Sequence, residues 1–215
     1  NISQATQVVT LVDTTPPEVF APSDIVAEAV GLSNTMVELG EATAHDKIGI
    51  ASVTEHPPRF FVLGETTVTW TATDTSGNSA SATQTVTIVD TTAPSITAPD
   101  SVTVEATSNN SNIVVLGNPV SSDQVDTPSI SNDAPDVFPL GETTITWTAV
   151  DTSGNSASAT QTVTIVDTTS PELTIPEDVM ISAFSLEKQV EIGEAQAYDL
   201  AGSALTITND APDTF

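Results

Sequence analysis

GETTVTWTATDTSGNSASATQTVTIVDTTAP, Gly64–Pro94, is the stretch that decides the fold. Apolar residues take every second position. Val68, Trp70 and Ala72 alternate with Thr67, Thr69, Thr71 and Thr73, and Ala82, Val86 and Ile88 alternate with Thr83, Thr85 and Thr87. A period of two describes a strand buried on one face and wet on the other. Threonine, β-branched and polar, suits the wet face. Between the two runs, DTSGN (Asp74–Asn78) reads as a hairpin loop, with Gly77 supplying the positive φ and Asp and Asn bonding nearby backbone.

The same stretch recurs almost letter for letter at Gly141–Pro171, so that Trp70 maps to Trp147, Asp74 to Asp151, Asn78 to Asn155 and Asp90 to Asp167. Such self-similarity marks a repeat architecture. NISQATQVVTLVDTTPP from Asn1 fits the frame of NSASATQTVTIVDTTAP from Asn78, and NDAPDTF ending at Phe215 fits NDAPDVF ending at Phe138. The expected organisation is residues 1–13 as the last strand of a preceding repeat, 14–90 and 91–167 as whole repeats, and 168–215 as an incomplete one, all within a longer array. Turn spacing divides the first repeat into seven strands: Pro17–Ala21, Ile25–Ala29, Thr35–Leu39, Ile50–Glu55, Arg59–Val62, Thr66–Thr73 and Ser79–Val89. The fold class is therefore all-β, with tandem immunoglobulin-like antiparallel β-sandwiches of 77 residues forming an elongated rod. Trp70 and Trp147 read as core plugs, and Pro17, Pro94 and Pro171 in the short linkers limit flexibility.

Composition narrows the function. The 29 acidic and 3 basic residues leave a net charge of −26, so the chain lacks the cationic surface that nucleic acid or anionic membrane requires. No run approaches the length of a membrane span. Cysteine is absent, which removes disulfides and thiolate metal sites. His45 and His56 occur in the first repeat alone, facing Ser122 and Asp133 in the second, and the abundant Ser and Thr have no partnered base. The chain reads as no enzyme.

Carboxylates recur at three places in the frame. Asp13, Asp90 and Asp167 lie in the linkers, Asp46, Asp123 and Asp199 lie in a loop within the sandwich, and Asp74 and Asp151 open the hairpin loop. In an immunoglobulin-like topology the two loops lie at the end where the chain enters. This groups Asp13 with Asp46 and Asp74, Asp90 with Asp123 and Asp151, and Asp167 with Asp199. Three carboxylates with carbonyls and an Asn suit Ca²⁺, which takes six to eight oxygens. The alternative is that every one of these Asp residues is a turn residue bonding backbone amides. Glu28 and Glu105 share a frame position near the same end, where the partial repeat has Ser182.

FPLGETTITWTAVDTSGNSASATQTVTI, Phe138–Ile165, resembles the hyalin repeat (HYR) family of immunoglobulin-like modules in its Phe-Pro-x-Gly, its alternating strand with an aromatic and its Asp-x-x-Gly-Asn. TAPSITAPDSVTVEA, Thr92–Ala106, is similar to the family's typical entry, whereas Val62 departs from the pattern where Pro139 keeps it. The resemblance implies extracellular adhesion in long surface proteins. Animal members usually carry a cysteine pair, so its absence here points to a prokaryotic cell-surface protein. VDTTAP and DTSGN are also similar to prokaryotic adhesin arrays, in which calcium stiffens the junctions.

The leading expectation is a structural or adhesive stalk or surface filament with interdomain calcium. Its partners would be neighbouring repeats or copies of the same array, joined in one version by strand addition from Asn1–Val12. The alternative is a module binding a carbohydrate or a cell-surface ligand through HDKIGIASVTEHPPRFF, His45–Phe61, where Lys47, His56, Arg59, Phe60 and Phe61 gather. Asn109-Asn110-Ser111 and Asn1-Ile2-Ser3 are glycosylation sequons.

Overall fold

The computed structural model describes residues 3–182, 189–199 and 205–212. It contains strands and no helix among these residues. The first repeat holds β1 (Glu18–Phe20), β2 (Ile25–Glu28), β3 (Thr43–His45), β4 (Ile50–Glu55), β5 (Gly64–Asp74) and β6 (Ser79–Val89). In the second, β7 (Ser95–Thr97), β8 (Val102–Glu105), β9 (Val120–Ser122), β10 (Ser129–Asn132), β11 (Gly141–Val150) and β12 (Ser156–Val166) follow the same order. Beyond them, β13 (Glu172–Thr174) pairs antiparallel with β14 (Gln196–Tyr198). Residues 3–17 form no strand, and Val8, Val9, Leu11 and Val12 are exposed.

Each whole repeat is a sandwich of a four-stranded and a two-stranded sheet, ordered β2-β6-β5-β4 with β1-β3, and β10-β11-β12-β8 with β7-β9. The β5–β6 hairpin keeps unbroken register from Gly64↔Ile88 to Thr73↔Ser79. Its outer face is laced by hydroxyl pairs, Thr71–Ser81 at 3.0 Å and Thr73–Ser79 at 2.9 Å. Its inner face buries Val68, Trp70, Ala72, Val86 and Ile88, as the alternation demands.

Three local features differ from the expectation. The four-stranded sheets are mixed, with β2 parallel to β6 and β8 parallel to β12. The cause is a change of sheet: β1 pairs with β3, Pro22 interrupts the ladder, and the chain crosses to run beside the last strand of its own repeat. Thr35–Leu39 and Arg59–Val62 are not strands but meet at one bridge, Thr35↔Phe61, mirrored by Asn112↔Phe138. The Leu39 carbonyl accepts the Gln84 side-chain amide at 3.0 Å, and Pro57 and Pro58, just ahead of the second segment, have no N–H to donate. The strand here is instead Thr43–His45.

Each core closes around its tryptophan. Trp70 and Trp147 are buried, and the indole N–H of each donates to a buried glutamine, Gln84 at 3.2 Å and Gln161 at 3.1 Å. Gln84 in turn donates to the carbonyls of Ser23 (2.7 Å) and Leu39 (3.0 Å), and Gln161 to those of Asp100 and Leu116, both at 2.8 Å. These bonds tie segments 61 and 45 residues away to the hairpin. In a chain without cysteine, this buried polar tie joins segments remote in sequence without a covalent bond.

By its contacts the chain divides into two compact units. One is Asn1–Pro94 with Ser122–Pro128 and Val150–Asn155, and the other is Ser95–Ser121 with Ser129–Ala149 and Ser156–Phe215. Two loops of the second repeat therefore belong with the body of the first.

Candidate metal centre at the repeat joint

Asp74 ends β5 and builds the hairpin loop around its carboxylate. Oδ1 accepts the amides of Ser76 (2.8 Å) and Asn78 (2.9 Å), and Oδ2 accepts the Asn78 side-chain amide at 2.8 Å. Gly77 turns the chain at φ 94°. Burial pushes the Asp74 carboxyl up, but the hydrogen bonds from the Asn78 side chain and from the loop amides outweigh it and hold the group below the usual carboxylate range. Asn78 also donates to the backbone carbonyls of Asp13 at 3.2 Å and Thr15 at 3.4 Å. Its amide nitrogen is thus a latch between the loop and the linker.

Asp13 and Asp46 arrive from the linker and from the loop before β4. Asp13 Oδ1 accepts the Thr15 amide at 3.0 Å, and Asp46 Oδ1 accepts the amides of Ile48 (2.7 Å) and Gly49 (3.1 Å). Each of these carboxylates thus performs the turn role that its position suggested. The turns also bring the groups together. One ligand atom from each of Asp13, Asp46 and Asp74 lies within 4.8 Å of the others, the single such group among the described residues. Asp13 Oδ2 is buried with no hydrogen-bond partner.

The next joint repeats the scaffold. Asp151 accepts the Asn155 amide (2.8 Å) and its side chain (2.9 Å), and Asn155 donates to the Asp90 carbonyl at 3.1 Å. Asp90 Oδ1 accepts the Thr92 amide at 3.2 Å while its Oδ2 is buried and unpartnered. Asp123 Oδ1 accepts the amides of Val125 at 2.7 Å and Asp126 at 3.3 Å. Asp90, Asp123 and Asp151 do not close to the separation seen in the first joint. Sequence reasoning passed over Asp126, which stands where the first repeat has Gly49. Its Oδ2 accepts the amide of Thr152 at 2.9 Å and the Thr152 hydroxyl, and its Oδ1 is buried without a partner. Comparing the two repeats residue by residue would have revealed it.

Of the remaining candidates, Asp167 accepts the Thr169 amide at 3.1 Å, and Asp199 is half-buried just after β14. Glu28 and Glu105 are linker clamps. Glu28 accepts the Thr91 amide at 2.7 Å and the hydroxyls of Thr91 and Thr92, and Glu105 binds Thr168 and Thr169 in the same way. The amide bond from Thr91 or Thr168 is the main cause holding each carboxyl below its ordinary value.

The basic and aromatic residues of His45–Phe61 take different places. Phe61 is core, His45 meets Phe20 edge-on at 6.1 Å, and the Arg59 guanidinium lies 5.2 Å from the Phe60 ring centroid. Asn109 is exposed.

Tandem cysteine-free sandwiches that share one carboxylate frame define a repeat module. The chain belongs to the HYR domain family, which matches residues 12–88 and 89–165 as consecutive copies. It is 39% identical over 231 residues to hyalin of Strongylocentrotus purpuratus, covering 95% of this chain and 19% of that protein. To hyalin of Lytechinus variegatus it is 38% identical over 225 residues, covering 92% and 41%. A Rattus norvegicus protein containing sushi, von Willebrand factor type A, EGF and pentraxin domains is 31% identical over 153 residues, covering 67% and 4%. The chain thus spans less than half the length of these relatives. Among solved structures, the protocadherin γB4 extracellular domain matches 76% of this chain and 35% of its own at 16% identity, with a TM-score of 0.36. That score is too low to define a shared fold.

These relatives overturn the expectation of a prokaryotic source. The hyalins are sea urchin proteins, and this chain is 39% and 38% identical to them although it lacks the cysteine pair whose absence pointed away from animals. Cysteine content reports whether a disulfide can form and not the lineage of the fold, and the Trp–Gln bonds described above tie buried segments together without one.

Proposed function

We propose that this chain is a section of an extracellular structural and adhesive array whose repeat joints are stiffened by Ca²⁺. Asp13, Asp46 and Asp74 hold the ion at one joint, and Asp90, Asp123 and Asp151, with Asp126, hold it at the next. Asp167 and Asp199 belong to the following one. The observation that carries the reading is the gathering of three carboxylates within 4.8 Å, one of whose oxygens is buried and unpartnered. Like charges brought this close repel one another, and an orphaned carboxylate oxygen forfeits its hydration. A hard cation that prefers oxygen ligands relieves both costs. The linker, the loop before β4 and the hairpin loop each supply one ligand, so the ion cross-links a linker to the repeat that follows it.

The test is calorimetry and small-angle scattering of the whole chain, with Ca²⁺ and with EGTA. Calcium is expected to raise the melting temperature and narrow the distribution of chain dimensions. Asp13→Asn combined with Asp90→Asn preserves both turn acceptors and is expected to abolish the response. Melting and scattering that ignore millimolar Ca²⁺ would show that these carboxylates are turn residues alone.

A further inference from the structure

Val125 is an unusual loop residue. It belongs to the second repeat yet is only 7% exposed, because it lies in the core cluster of the first, with Ala29, Phe61, Val68, Trp70, Val86 and Ile88. The turn that presents it is built by Asp123, whose Oδ1 accepts the Val125 and Asp126 amides.

Ile48 is its counterpart 77 positions earlier. Asp46 builds the same turn, accepting the Ile48 amide at 2.7 Å, the distance found at Val125. The apolar residue at the tip is thus held by the same backbone bond in both repeats. Ile48, however, is 63% exposed. It is also larger than valine and β-branched, a poor choice for a solvated loop tip beside Asp46 and Lys47.

We propose that Ile48 is a docking residue that seats in the base of a further HYR sandwich, joined through Asn1–Asp13, as Val125 seats in the first. The receiving surface has the composition of the cluster around Val125: Phe61, Trp70 and apolar residues of the last two strands, Val68, Val86 and Ile88. Val9 and Leu11 are the frame counterparts of the core residues Val86 and Ile88, and they are 82% and 97% exposed. They supply the last-strand wall of that sandwich. The proposal rests on the array reading above and is independent of the cation. Each joint then has two parts, an apolar key that sets the position and carboxylates that surround it.

The chain contains no cysteine, so Ile48→Cys and Val125→Cys each introduce a single thiol. Thiol labelling is measured in the chain as it stands and in an extended chain with residues 14–77 placed before Asn1, all in EGTA. In the chain as it stands, Ile48→Cys is expected to label at the rate of an exposed thiol, and Val125→Cys about 100-fold more slowly, through local opening. In the extended chain Ile48→Cys should slow to the rate of Val125→Cys. Unchanged labelling at position 48 while the added repeat melts cooperatively overturns the proposal. So does slowing in the unextended chain that grows with protein concentration, which would seat Ile48 on a second copy. Ile48→Asp serves as the second variant: it should lower the melting temperature of the extended chain and leave the unextended chain unchanged. Equal effects in both chains count against docking. Because labelling is done without calcium, failure of the cation reading appears as calcium-insensitive melting, and failure of docking appears as fast labelling.

Discussion

Replacing Gln84 by leucine probes how a cysteine-free sandwich stays closed. The side chains are nearly the same size, so packing around Trp70 is largely kept. Three polar groups lose their partner: the Trp70 indole N–H at 3.2 Å, the Ser23 carbonyl at 2.7 Å and the Leu39 carbonyl at 3.0 Å. A buried group left unsatisfied costs about 1–3 kcal/mol. The indole N–H falls at the upper end because Trp70 is 4% exposed, and the two part-buried carbonyls fall at the lower end. The added apolar surface returns about 1 kcal/mol. The net loss is therefore about 3–5 kcal/mol. At about 4–8 °C per kcal/mol for a domain of this size, that lowers melting of the first repeat by roughly 12–40 °C.

Differential scanning calorimetry and urea unfolding read the effect, with Gln161→Leu as the control in the second repeat. Trp70→Phe removes the largest of the three interactions, so Gln84→Leu made in that background should cost only about 1 kcal/mol. A loss below about 1 kcal/mol for Gln84→Leu, or one unchanged by Trp70→Phe, would refute the claim that this glutamine ties the sheets together.

Two further outcomes follow from local geometry. Glu28 has a folded-state pKa below its ordinary 4.5, so its clamp stabilises the repeat fully above that value and is lost as pH falls through the lower one. In EGTA, the stability gap between the parent chain and Glu28→Gln should be constant from neutral pH down to about 5 and close below it; a gap that widens on acidification contradicts the clamp. Gly77 and Gly117 both hold positive φ, but a Cβ on Gly77 meets nothing within 4 Å while one on Gly117 comes within 3.3 Å of Pro99. Gly77→Ala should cost about 1–2 kcal/mol from the backbone alone, and Gly117→Ala distinctly more by urea unfolding.

The hairpin, the repeat and the sandwich were legible in the sequence because each follows from local rules. Alternating Val, Trp and Ile against Thr admits one buried face, and Asp-Thr-Ser-Gly-Asn closes one kind of loop. Recurrence every 77 residues fixes the frame in which the carboxylates of a joint are counted. The grouping of Asp13 with Asp46 and Asp74 followed from that frame and a topology.

Other features depend on neighbours remote in the chain. Gln84 sits on the inward face by alternation, yet nothing local says that carbonyls 61 and 45 residues away will take its amide protons. Thr35–Leu39 has the composition of a strand but pairs only at the Thr35↔Phe61 bridge, and its Leu39 carbonyl accepts that glutamine. The crossings at Pro22 and Pro99 make one pair in each large sheet parallel, although the alternation within these strands suits either direction. Val125 and Ile48 are alike in sequence and in turn geometry, and differ only in what lies beyond the turn. Periodicity and turn chemistry are properties of a few consecutive residues, so the sequence alone determined the long hairpin strands, the repeat and the carboxylate frame. Burial and hydrogen-bond satisfaction belong to the packed whole, so only the tertiary structure decided which polar group becomes a tie, which carboxylate oxygen is left without a partner, and which loop residue is a key.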